Sequence, residues 1–149
     1  MTTVTLEQIE AQQTQLAKMI EAFKTIPPAT ISIPAAKIEL TKGERYAGLI
    51  LGADGNPSHH LVLLPGEAED QTWQQATEWA EKQGGGLPTR AEQSLLFANI
   101  KSEFQSAWYW SGQQHETNPG WAWCQLFRNG GQSGEVTGAV GRAGATAAL

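Results

Sequence analysis

The chain has 149 residues, including 16 glycines and six tryptophans, with a formal net charge of −5. This length suits one domain plus one appended element, and the negative charge argues against binding to a nucleic-acid polymer or an acidic membrane. The single cysteine, Cys124, excludes an intramolecular disulfide framework. No apolar stretch suits a secretory signal or a bilayer span, so a protein kept in a cytoplasm is expected.

Residues 1–25 are predicted to form a coiled-coil-like helix. Thr5 and Gln8 have the spacing of a capping box at its start, and Pro27 ends it. Apolar side chains alternate at intervals of three and four residues, the a/d pattern of a heptad, with one glutamine among them: Leu6, Ile9, Gln13, Leu16, Ile20 and Phe23. We predict a homo-oligomer, a dimer or trimer or a larger assembly. The alternative is an amphipathic helix packed on its own domain.

Residues 26–42 form a Pro/Ala-rich linker that is expected to include a first strand, and residues 43–149 form the main domain. Within that domain, Tyr46–Leu51 and His60–Leu64 are apolar runs on either side of a turn sequence, which predicts a β-hairpin.

Two helices are predicted next. Thr72 with Gln75 and Thr89 with Glu92 form capping-box pairs at their starts. Trp73, Ala76, Trp79 and Ala80 lie on one face of the first helix, which ends at three glycines; Leu95, Leu96 and Ala98 are expected to face the core from the second.

The remainder favours strands. Residues 107–111 and 120–127 are β-prone, and alternation places Trp121 and Trp123 on one face with Ala122 and Cys124 on the other. The Gly/Ala-rich segment 136–149 is expected to form one final strand, with Val140 and Leu149 as its few anchors. Strands, two helices and further strands in this order predict an α+β domain.

Three motifs in this order resemble a known family: Leu87–Gln93 (LPTRAEQ), Trp108–Ser111 (WYWS) and Trp121–Gln125 (WAWCQ). They resemble the phage and prophage domain-of-unknown-function family of the Lcl-C-terminal-like type. The resemblance covers residues 43–127 and implies a C-type-lectin-like fold of two helices on small antiparallel sheets, with binding loops on one face. The motif tryptophans are expected to be scaffold, with Trp108, Trp110 and Trp123 in the core. Beyond Phe127 the sequence departs from the family, so the last strand is either reduced or adapted to a partner.

No catalytic, metal or cofactor site is predicted. The segment 116–119 resembles a calcium-binding loop only in part, and the adjacent His59 and His60 would point to opposite faces of a strand. Cys124 lies within an alternating aromatic strand and is expected to be inert. No nucleophile with a base stands out, so we do not expect an enzyme.

Polar, adaptable side chains beside an aromatic ring are typical of a binding surface, which the loop 112–120 and the turn 128–135 would provide. The candidate ligand- or partner-binding residues are Gln113, His115, Asn118, Trp121, Arg128, Gln132 and Arg142. With the resemblance, they predict a non-catalytic phage or prophage binding protein that presents a lectin-like face as an oligomer. The alternative is a cytoplasmic phage counter-defence protein that inhibits a host immune protein or sequesters a nucleotide signal.

A sequestering protein would use an arginine of the domain, such as Arg45, Arg90, Arg128 or Arg142, beside a stacking aromatic ring. The expected partner is therefore a host or phage protein or a small anionic ligand, in the bacterial cytoplasm or on the virion.

Overall fold

The structure, a computed structural model, describes residues 3–149 and divides into two compact units. The first ends at Ser32 and contains α1 (Leu6–Lys24). The predicted capping box is present: the Thr5 hydroxyl accepts from the Gln8 N–H at 3.3 Å, and the Gln8 side chain accepts from the Thr5 N–H at 3.0 Å. All six a/d residues of α1 are exposed. The helix is confirmed, and its self-association stays a prediction.

The second unit, Ile33–Leu149, is mixed α and β, as predicted. Its elements are β1 (Arg45–Leu51), β2 (Pro57–Gln71), α2 (Trp73–Lys82), α3 (Arg90–Ile100), a short 3-10 turn (Lys101–Glu103), β3 (Trp108–Gln114), β4 (Trp121–Leu126), β5 (Gln132–Val136) and β6 (Gly141–Ala148). The first strand, expected within residues 26–42, begins instead at Arg45.

The six strands form one sheet in the order β1-β2-β6-β3-β4-β5. Two antiparallel halves, β1-β2-β6 and β3-β4-β5, meet at the parallel pairing of Tyr109 in β3 with Arg142 in β6. Tyr109 packs in a cluster with Leu96 of α3, whereas Trp110 packs in a cluster with Ala76 of α2. Because neighbouring strand residues point to opposite faces, α2 and α3 cover opposite faces of the sheet.

The Gly/Ala-rich C-terminal segment contains a central strand of the sheet, β6, after the separate edge strand β5. Its buried positions are small: Ala143 clusters with Ala76 of α2, and Ala145 clusters with Ala80. Small side chains on both elements allow α2 to approach the sheet closely. The expectation that Val140 and Leu149 anchor this segment was wrong, since both are exposed.

Local signals predicted the helix ends well. Thr72 and Thr89 both form complete capping boxes. α2 ends in a Schellman motif, in which the Gly84 N–H donates to the Glu81 carbonyl and the Gly85 N–H to the Ala80 carbonyl. The predicted inner face of α2 is confirmed by the full burial of Ala76 and Ala80, with Trp73 and Trp79 packed beside them.

The inner face of α3 and the tryptophans required corrections. Ala98 is exposed, whereas Gln93, Leu96 and Ile100 are buried. Trp110 is buried as expected, but Trp108 is 42% exposed, so its place in the core was wrongly predicted. No helix within residues 3–149 combines the length and apolar character needed to cross a bilayer.

Candidate functional site

A stack of three planar side chains lies where the start of α3 meets β4. The guanidinium carbon of Arg90, the first residue of α3, lies 3.6 Å from the centroid of the Trp123 ring. The His115 ring is nearly parallel to that of Trp123, at 15°, with centroids 5.0 Å apart. Such cation–π and stacking contacts hold flat groups in fixed orientations.

Glu116 closes this stack along one edge. Its carboxylate accepts from the Trp123 indole N–H at 3.2 and 3.3 Å, and it lies 4.0 Å from an Arg90 nitrogen. The backbone N–H of Glu116 and the Trp123 indole lower the pKa of this carboxyl, with help from His115 and Arg90. Glu116 is therefore ionised at neutral pH and presents a negative edge beside the Arg90 cation.

Gln132 fixes Arg90 from the side of β5. Arg90 donates from Nε to the Gln132 Oε1 at 2.9 Å, and the Gln132 amide donates back to the Arg90 carbonyl at 2.8 Å. The Arg90 N–H, at the start of α3, donates to Gln113 Oε1 at 2.7 Å. Gln132 in β5 thus holds the Arg90 side chain in one conformation, while Gln113 in β3 holds its backbone N–H. We call Arg90, His115, Glu116, Trp123 and Gln132 the Trp123 platform.

Hydrogen bonds connect this platform to the core. The Gln132 amide donates to Gln125 Oε1 at 2.8 Å, and Gln125 donates to the Gln93 carbonyl at 2.8 Å. Gln93 donates to the Tyr109 carbonyl at 3.1 Å. Gln93 and Gln125 are fully buried. Buried amides in a connected network restrain one another, so the platform has a rigid base.

The loop after β3 is ordered around His115. The His115 Nδ1 accepts from the backbone N–H groups of Thr117 and Asn118, both at 3.2 Å. Trp121, 37% exposed, lies beside the platform. A Cβ placed on Gly134 would lie 3.1 Å from His115 and 3.5 Å from Trp121, so this glycine leaves room for both rings.

The structure therefore brings together five of the seven candidate residues and separates two. Gln113, His115 and Gln132 hold or form the platform, and Asn118 and Trp121 border it. Arg128 follows β4 at the end opposite to Trp121, where its carbonyl accepts from Lys101. Arg142 lies in β6, 3.2 Å from Glu67 and 3.0 Å from Glu69.

Two platform residues, Glu116 and Trp123, were not among the sequence candidates for binding, and Arg90 was named only as one of four arginines that a sequestering protein could use. Trp123 was expected in the core, yet it is half-buried and forms the centre of the stack. The alternation of β4 already placed Trp123 on the face of the exposed Trp121, away from buried Ala122 and Cys124. That alternation was sufficient to predict Trp123 at the surface. Arg90 lies 33 positions earlier in the chain, so no local sequence pattern predicted its contact with Trp123.

The histidines and the cysteine have structural partners. His59 Nε2 lies 2.7 Å from the capping Glu92, and His60 Nδ1 lies 2.8 Å from the Tyr46 hydroxyl. Cys124 is buried, and burial raises the pKa of its thiol to about 11. Within residues 3–149, no group of three or more His, Cys, Asp or Glu side chains is arranged to hold a metal ion.

Comparison of the chain with protein-family models and with curated proteins gives no match. The Trp123 platform offers an aromatic ring, a cation, a carboxylate and amides in fixed positions at the surface. Such an arrangement is suited to recognition, because groups that are already ordered lose little conformational entropy on binding.

Proposed function

We propose that this chain is a non-catalytic binding protein of phage or prophage origin. It uses a C-type-lectin-like domain to recognise a protein or other ligand through the Trp123 platform and the neighbouring Trp121. The N-terminal helix assembles several copies. The resemblance of the LPTRAEQ, WYWS and WAWCQ motifs supports the origin and the fold type, together with the α+β order of elements.

The observation that carries this proposal is the ordered stack of Arg90, Trp123 and His115. Tryptophan and arginine are enriched among the residues that dominate binding energies at protein interfaces. Here the two are in contact, and hydrogen bonds from Gln132 keep Arg90 in position. An arginine held in this way presents its remaining N–H groups to a ligand at low entropic cost.

Assembly through α1 supports binding by avidity. The a/d side chains of α1 form an apolar stripe, interrupted only by Gln13, that is exposed in the single chain. An exposed stripe of this kind is typical of a surface that associates with another chain. The helix has fewer than three full heptads, so a dimer or trimer stabilised by additional contacts is the proposed assembly. Several linked copies of a weak binding face bind more tightly than one.

The alternative of a nucleotide-sequestering protein requires arginines directed at a ligand. Arg45 is paired with Glu103, Arg90 with Glu116, and Arg142 with Glu67 and Glu69. A phosphate would have to displace these carboxylates. Arg128 makes no salt bridge within residues 3–149, but it follows β4 at the end opposite to Trp121, away from the Trp123 platform. The geometry therefore favours a recognition surface over a phosphate pocket.

Site-specific photo-crosslinking in the bacterium that produces the protein tests the proposal. A benzophenone amino acid replaces Trp121 in one variant and the exposed Glu81 of α2 in a matched control. We expect a discrete cross-linked product from position 121 that is absent from position 81. Equal products at the two positions, or none at position 121, would contradict the proposal.

A further inference from the structure

A cavity lies on the face of the sheet opposite to the Trp123 platform. Its volume is about 210 Å³, and it lies between β3, the β4–β5 hairpin and the turn before β6. Buried Trp110 and Cys124 form its floor. Trp108 and Val140 line it while remaining 42% and 62% exposed. Apolar and aromatic side chains that line a cavity and remain exposed to solvent are typical of a ligand-binding site.

The size of this cavity suits one aromatic ring with a short substituent. An apolar cavity of about 150 Å³ in another protein accommodates benzene. The present cavity is larger than that, and its open side leaves space for a chain attached to the ring. Gly141 contributes to this space, since a Cβ there would lie 3.3 Å from the Trp110 indole nitrogen.

The charge of the cavity lining indicates which aromatic ligands would bind. Glu135 is the one carboxylate residue that lines the cavity, and none of the lining residues is basic. One carboxylate oxygen of Glu135 accepts from the Val136 N–H at 2.8 Å, and no salt bridge engages this residue within the described part of the chain. Glu135 lines the same cavity as Cys124, and its charge adds to the effect of burial in raising the pKa of the Cys124 thiol.

We propose that this cavity binds a small aryl-alkylammonium compound, with the ring between Trp108 and Val140 and the ammonium group near Glu135. An ammonium group is attracted both by the carboxylate and by the face of a tryptophan ring. The inference goes beyond the proposed recognition function and involves none of the platform residues, so each can fail without the other.

Titration of the full-length protein, followed by the indole N–H resonance of Trp108, tests this site. The Trp108→Phe variant assigns that resonance. The probes are 2-phenylethylammonium, neutral 2-phenylethanol and anionic 3-phenylpropanoate, which differ mainly in charge. We expect saturable binding of the cation in the millimolar range, as for a ligand of about nine heavy atoms. The neutral probe is expected to bind about two- to fivefold more weakly, as for loss of one exposed ion pair, and the anion more weakly still.

The Glu135→Gln variant separates the charge from the shape of the cavity. It is expected to lose the part of the preference for the cation that Glu135 supplies and to keep only the attraction of the tryptophan ring, whereas Glu81→Gln, at an exposed site on α2, keeps the full preference. Unchanged thermal unfolding of both variants verifies that they are folded. An unperturbed Trp108 resonance, or a preference for the cation that is as large in Glu135→Gln as in the unsubstituted protein, would overturn the inference.

Discussion

Replacement of Gly85 by alanine tests whether the C-terminal segment is an inner strand of the domain. A Cβ on Gly85 would lie 2.2 Å from the Thr146 carbonyl oxygen in β6 and 2.8 Å from Leu64 Cδ1 in β2. Both distances are far below van der Waals contact. The Thr146 carbonyl cannot move freely, because β6 is bonded to strands on both sides. The segment containing Gly85 must therefore move away from β6.

That displacement breaks two hydrogen bonds, from Gly86 N–H to the Thr146 carbonyl (3.0 Å) and from Thr146 N–H to the Gly86 carbonyl (2.9 Å). Each contributes about 0.5–1.5 kcal/mol. Overpacking costs about 1–3 kcal/mol, and the lower entropy of the unfolded alanine chain offsets about 0.4–1 kcal/mol. We expect Gly85→Ala to lower the free energy of unfolding by about 3 kcal/mol, on the order set by these contributions.

Urea unfolding followed by tryptophan fluorescence measures the effect at one fixed chain concentration, because association shifts the midpoint. Gly86→Ala is the matched control, since a Cβ there meets nothing within 4 Å. It should change the stability by less than about 1 kcal/mol. If Gly85→Ala and Gly86→Ala unfold at the same urea concentration, the close approach of this segment to β6 is wrong.

Three further predictions concern the helix, the platform and the thiol. Ile20→Asp in the exposed stripe of α1 should lower the particle mass measured by light scattering, whereas Gln12→Asp on the polar side of the helix should not. Equal particle masses for the two variants would refute the heptad assignment. Trp123→Leu should lower the free energy of unfolding by about 1–2 kcal/mol through loss of the ring and of its contact with Arg90, and an unchanged urea midpoint would contradict the stack. Because the pKa of Cys124 is raised from 9.0 to about 11, its iodoacetamide reaction at pH 8 should be at least about 100-fold slower than that of free cysteine. Rapid labelling at pH 8 would contradict the burial of this thiol. The free energy of unfolding should also fall as the pH rises from 9 toward 11, because the thiol of the unfolded chain ionises at a lower pH than that of the folded chain.

Features that depend on a few neighbouring residues were predictable from the sequence. The caps at Thr5, Thr72 and Thr89, the α2 stop at Gly84 and the strand alternation around Cys124 each follow from local hydrogen bonding or side-chain direction. These signals correctly gave the α+β class and the starts of the three helices, whereas β2 is longer than predicted and β5 lies largely in a segment predicted as a turn.

The role of β6 could not be predicted in the same way. Its alanines and glycines give a weak hydrophobic pattern, yet they are central because α2 presents Ala76 and Ala80 to them. Which elements pack together is decided by partners far apart in the chain. For the same reason, the loop residues around His115 were identified, whereas the contact of Arg90 with Trp123 was not.

Native mass spectrometry of the protein, purified gently from the cells that produce it, tests the central proposal most directly. A multivalent recognition protein predicts a mass equal to a whole number of chains, two or more, with no added component. A single-chain mass would contradict assembly through α1. An additional few hundred daltons per chain or interface, from a retained small molecule, would instead favour sequestration of that molecule.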